Sequence, residues 1–159
     1  MTKDSYAADI YEIAVETFEL MCYMFPLEDT EIDKIQKPAP GKFVVSVVRF
    51  EGPAEGVMAM CASPELMNAL AENMLGTDLA TQEEKEGALC EIVNIICGNV
   101  APFFSKDDEI CVIRPPWIVG PGEKPEEMFR GMNRETVTLH LDEGSAEIIV
   151  YYLCKEEPV

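Results

Sequence analysis

Apolar and polar positions alternate with two different periods along the chain, and the changes of period outline its elements. Between about Asp4 and Met24, the apolar residues Ile10, Ile13, Ala14, Phe18 and Met21 recur at helical spacing. Asp9, Glu12, Glu16 and Glu19 fall on the other side, which predicts an amphipathic helix stopped near Phe25-Pro26. The stretch 26–42 is polar and carries prolines. After Gly41, KFVVSVVRF is β-branched and aromatic, and EGPAEG turns it into VMAMCAS, so two antiparallel strands are predicted.

Ser63-Pro64 then supplies an N-cap and a proline at the first helical position. Leu66, Leu70 and Met74 follow at helical spacing, and Gly76 stands where a helix would end. Thr81 to Glu84 reads as a capping box with acids in the first turn, opening a third helix that runs to about Ser105. Beyond it, EICVIRPP predicts a strand entering a stiff turn and WIVGPGEKPEEMFRGMNRE a long loop. ETVTLHLDEGSAEIIVYYL predicts a closing hairpin around Glu143-Gly144. Helices interleave with antiparallel strands, so the fold class is α+β: an antiparallel-rich sheet with long helices packed on it, in a single domain over 1–159.

The third helix carries the unusual pattern. At ~100° per residue, Leu89, Ile92, Val93, Ile96 and Val100 form one narrow stripe for the core. Glu84, Gly87, Glu91, Asn94 and Gly98 share a sector on the opposite side. An interior glycine costs about 1 kcal/mol against alanine, and asparagine is also a poor mid-helix residue. One account is that the bare face at Gly87 and Gly98 admits another protein's surface, so that Glu91 and Asn94 reach into it. The plainer account is a solvated polar face, and an ExxN pair alone does not decide between them.

Composition narrows the partners. With 12 Lys and Arg against 30 Asp and Glu, the net charge of −18 repels nucleic-acid backbones and anionic membrane surfaces. No apolar run approaches the ~20 residues of a membrane-spanning helix, and the N-terminal stretch carries acids every few residues instead of an apolar signal core. A cytoplasmic location is expected. The six cysteines show no CxxC spacing, so reduced core thiols are expected rather than a metal site or disulfides. His140, the single histidine, alternates with Val137, Leu139 and Leu141 and reads as structural, and Trp117 reads as a packing anchor.

EIVNIICGN, residues 91–99, resembles the signature of the CheC/CheX/FliY phosphatase family: Glu, Asn three residues later, then Gly-Asn. That pattern has a proline 22 positions after the Asn, here Pro116. The order of elements is also similar to that family's over essentially the whole chain. A single signature helix points to the CheX branch, since CheC-type members carry two and the first helix here has no ExxN. Two positions depart from the pattern: Gly87 stands where the family has Asp or Ser, and Cys90 where Gly is common. Glu84 and Glu86 are the nearest acids to the missing one.

The resemblance implies a phosphatase acting on the aspartyl phosphate of a CheY-like response regulator. Asn94 would position the attacking water and Glu91 would dock to a receiver lysine, with Gly87 and Gly98 at the partner contact. It implies no cofactor of the chain's own, Mg²⁺ being held by the partner receiver, and a homodimer formed through sheet contacts at the terminal hairpin. The alternatives are a non-catalytic receiver-binding or flagellar-switch-type module, and an acidic scaffold without a site.

Overall fold

The computed structural model describes residues 6–28, 43–104, 110–120 and 123–154. Helix α1 spans Ala7–Cys22, strands β1 and β2 Val44–Glu51 and Ala54–Ala62, helix α2 Pro64–Leu75 and helix α3 Gln82–Val100, extended by a 3-10 turn over Ala101–Phe104. Two short strands follow, β3 at Val112–Ile113 and β4 at Trp117–Ile118. Then come a single-turn helix α4 at Pro125–Met128 and the strands β5, Asn133–Leu141, and β6, Gly144–Cys154.

The strands form one antiparallel sheet in the order β3-β1-β2-β6-β5, with β4 also pairing with β1. Its register sorts the side chains by face. Val48 and Phe50, Met58 and Met60, Val137 and Leu139, and Ile148 and Val150 join one buried cluster with Ile10, Phe18, Leu66, Leu70, Leu89, Ile92 and Ile96 of the three helices. The helical layer therefore lies on one face of the sheet, held there by apolar burial. On the other face Val47, Val57, Ala59, Ile149 and Tyr151 pack against Phe129, Trp117, Val119 and Met132.

That second cluster corrects three expectations. The segment 117–135 is not simply a loop, because its described residues include β4 and α4, and Trp117, Val119, Phe129 and Met132 pack on the sheet's second face. The strand expected through EICVIRPP reduces to the two residues Val112 and Ile113, since the prolines that follow cannot donate to a ladder. Finally β6, apolar on both faces, is an inner strand between β2 and β5, not an edge. Its apolar character is explained by burial on both sides, with the Phe129 and Tyr151 rings 5.4 Å apart. Trp117 is a packing residue of this cluster. His140 is half-buried on the face opposite Val137, Leu139 and Leu141, as its alternation requires.

Caps set the helix ends where the sequence places them. The Ser63 hydroxyl accepts from the Leu66 N–H at 3.3 Å, and Gly76 closes α2 in the left-handed region. The terminal hairpin turns against this cap: a Cβ on Gly144 would lie 2.6 Å from Ser63 Oγ and 2.9 Å from the Leu66 nitrogen, so only glycine fits. The helical stretch Gln82–Phe104 holds an 18-residue window of mean hydropathy 1.5, enough by length and composition alone to cross a membrane, although charged residues interrupt the stretch so that it is not an unbroken apolar run. Half of it is buried, because its apolar stripe is the one packed on the sheet.

Candidate functional site

The capping box at the start of α3 is complete. The Glu84 N–H donates to Thr81 Oγ1 and the Thr81 N–H to Glu84 Oε1, each at 3.1 Å. The Glu84 carboxylate is thus committed to the helix end and is not free to take the place of the acid missing at Gly87. From this start the helix runs across the sheet, packed on α1, α2 and β1 and touching β3 and β4. Leu89, Ile92, Val93, Ile96 and Val100 are all fully buried beneath it.

The opposite side is solvent. Gly87, Glu91, Asn94 and Gly98 are all exposed, as helical arithmetic predicts. Neither the Glu91 nor the Asn94 side chain hydrogen-bonds to a described residue, so a carboxylate and a carboxamide one turn apart stand uncommitted on a helix fixed along its other side. Cys90 turns away from them, its thiol accepting from the Ser46 hydroxyl at 3.3 Å. Pro116 lies just before β4, on the outer edge of β1 that α3 also contacts.

A Cβ added at Gly87 or at Gly98 would meet nothing within 4 Å. Packing inside the chain therefore does not require either glycine, although each costs about 1 kcal/mol in a helix interior. Gly87→Ala is expected to raise stability by about 0.5–1 kcal/mol in urea unfolding, with an unchanged m-value. A loss of stability would show that the bare backbone is needed by the fold itself.

Two grooves border this face and meet at Met21. One, about 470 Å³, is lined by Met21, Asn73, Leu75, Gly87 and Glu91. The other, about 330 Å³, runs between α1 and α3 past Ile13, Leu20, Met21, Ile95 and Asn99. Asn73 Nδ2 donates to the Cys22 carbonyl at 2.8 Å, tying the end of α1 to that of α2. Burial first, then the negative charges of Glu143 and Glu91, push the Cys22 thiol up to about 11. Burial likewise pushes Cys97 up to about 12, so these thiols stay protonated and carry no nucleophile.

Met21 corrects another expectation. It belongs to the apolar stripe of α1 by spacing, yet it is exposed, because it borders the two grooves instead of entering the core that takes up its neighbours Cys22 and Met24. The groove residues Leu20 and Leu75 escape sequence reasoning, although one signal is present. Leu75 lies off the Leu66, Leu70 and Met74 stripe of α2, and Leu20 stands at the border between the apolar stripe and the acidic side of α1, where a solvated helix would carry polar residues.

Residues 44–123 match a family model described as chemotaxis phosphatase CheX. No curated protein matches the chain. Among solved structures it is similar to a chain of the CheX–CheY–BeF3–Mg²⁺ complex from Borrelia burgdorferi, at 21% identity and a TM-score of 0.72, covering 94% of this chain and 99% of that one. It is similar to the chemotaxis protein CheX from Vibrio vulnificus at 17% identity and a TM-score of 0.71, covering 96% and 99%. The FliM middle domain from H. pylori shares the fold more distantly, at 8% identity and a TM-score of 0.54, covering 96% and 93%.

Proposed function

This chain belongs to the CheX family of chemotaxis phosphatases, and on that premise we propose that it hydrolyses the aspartyl phosphate of a CheY-like receiver domain through Asn94 and Glu91. The observation that carries the reading is the uncommitted pair itself: Glu91 and Asn94 project together, exposed, from a helix buried along its other side.

A receiver brings its own electrophile, and its bound Mg²⁺ supplies most of the charge stabilisation that phosphoryl transfer needs. What remains is to place a water in line. Asn94 suits that task because a carboxamide donates and accepts hydrogen bonds without ionising. The water oxygen bonds to phosphorus as the bond from phosphorus to the aspartyl oxygen breaks. Inorganic phosphate and a free aspartate result, and the water's proton passes to a phosphate oxygen. Glu91, one turn before, pairs with a receiver lysine and fixes the register of docking. Gly87 and Gly98 leave the helix backbone bare on either side, so a partner's surface approaches closely. Gly87 replaces an acid or serine of the family pattern, and within this reading Glu91 alone carries the ionic contact.

The homodimer of this proposal pairs through β5 of the terminal hairpin, a reading supported by its position as the outermost strand of the sheet with Arg134, Thr136 and Thr138 exposed. The cytoplasmic location stays part of this proposal, since receivers of this kind are its partners.

The test is loss of phosphoryl label from a panel of phosphorylated receiver domains incubated with the chain. Acceleration for at least one receiver is the expected result. Binding to a receiver without acceleration would replace the phosphatase by an adaptor of the same fold.

A further inference from the structure

Apolar side chains stand in solvent where α1 and α2 end. Leu20 and Tyr23 at the end of α1 are 70% and 79% exposed, and Leu79, in the loop 76–81 between α2 and α3, is 84% exposed. They are outward-pointing side chains, not the fringe of the core. Leu20 and Met21 line one groove, and Met21 and Leu75 line the other, whose far wall is Gly87 and Glu91; Tyr23 and Leu79 follow these residues in the chain at the ends of α1 and α2. The bond from Asn73 to the Cys22 carbonyl holds the two helix ends side by side.

Tyr23 makes the exposure harder to dismiss. It occupies the left-handed region at φ 56°, where glycine is the unstrained choice after a helix. A bulky aromatic residue here meets a backbone cost and gains no burial in return. Leu20 and Leu75 likewise depart from the polar residues that a solvated helix surface would carry.

We infer that this apolar rim, Leu20, Met21, Tyr23, Leu75 and Leu79, is a second part of the docking footprint for the receiver, which it grips beside the contacts made by Glu91 and Asn94. The inference rests on the reading of Glu91 and Asn94 as the receiver-facing pair. A partner seated over Glu91 necessarily covers the groove that Met21 and Leu75 share with it. Charge selects between occupants. The two grooves are lined by Glu16, Glu84 and Glu91, in a chain of net charge −18. A second copy would bring the same acids face to face, whereas a receiver with an apolar patch beside its lysine complements both features. Division of labour follows: burying the rim supplies affinity, and the polar pair supplies register and chemistry.

The experiment uses the full chain with neutral substitutions, Leu20→Gln, Leu75→Gln and Leu79→Gln, combined in one variant, beside Tyr23→Gly. Ile110→Gln, equally exposed but next to β3, is the control. Dephosphorylation is measured against receiver concentration, and binding to beryllofluoride-loaded receiver by calorimetry. The triple variant should raise KM and Kd about tenfold or more with kcat within about twofold, and the control should move none of them. Tyr23→Gly should weaken binding without lowering Tm, which a merely structural role would not do. An unchanged Kd in the triple variant overturns the rim, as does a switch of the chain from dimer to monomer with Kd unchanged. Binding of wild type without hydrolysis would remove the phosphatase reading alone, because the comparison of Kd values still decides the rim. Failure of wild type to bind any receiver would remove both.

Discussion

Replacing Asn94 by alanine is expected to lower receiver dephosphorylation by about 10²-fold, the usual size of effect when a group that positions a reactant is lost. The same substitution should leave the protein at least as stable as before. Asn94 is exposed and its side chain bonds to no described residue, and alanine is better than asparagine in a helix by roughly 0.5 kcal/mol. Activity and stability should thus move in opposite directions, so the loss could not be assigned to unfolding. Labelled receiver assayed beside urea unfolding of the same preparation checks both. Docking should survive, since the proposal gives the contact with the receiver lysine to Glu91, so kcat should fall far more than KM rises. An Asn94→Ala enzyme with full activity would end the proposed role of the amide.

Ile92→Ala should have the largest effect on stability. Ile92 is fully buried on the sheet side of α3, within the main core cluster. Truncating such a side chain loses its transfer energy and leaves a cavity, at a cost of about 2–5 kcal/mol. Alanine's better helix propensity recovers only a few tenths of that. Against a typical total of about 5–15 kcal/mol, this is a large share of what holds the domain together. The urea midpoint should drop with the m-value unchanged. Ile92 is next in sequence to Glu91 yet turned to the core, so Ile92→Ala and Asn94→Ala together separate the helix's support from its chemistry. A stability change below about 1 kcal/mol would mean that α3 is not anchored as the core cluster indicates.

What could be read from the sequence follows the range of the interactions involved. Helix ends were legible because caps are local: Ser63-Pro64, Gly76 and the Thr81–Glu84 box each act within four residues, and each is where the structure has it. The exposed face of α3 was legible because helical periodicity is local too. Strand order was not. Nothing in GSAEIIVYYL distinguishes a strand buried on both faces from an apolar edge, since that depends on residues 117–132 folding over the second face. β4 was missed because two residues between Pro116 and Val119 give no period, and the β1 edge decides their pairing. The groove beside Glu91 was out of reach for the same reason: its walls come from α1, α2 and α3, brought together only by packing.

The anchoring of α3 also bears on what kinds of change the chain can absorb. Both groups of the proposed site belong to one turn of one helix, so their relative placement is independent of every loop. Lengthening the connection at 76–81 would leave them side by side. A single residue inserted between Glu91 and Asn94 would swing the amide by ~100° and off the shared face. Loops and strand edges can therefore drift over generations at little cost, while the spacing of the four consecutive positions 91–94 admits no change of length.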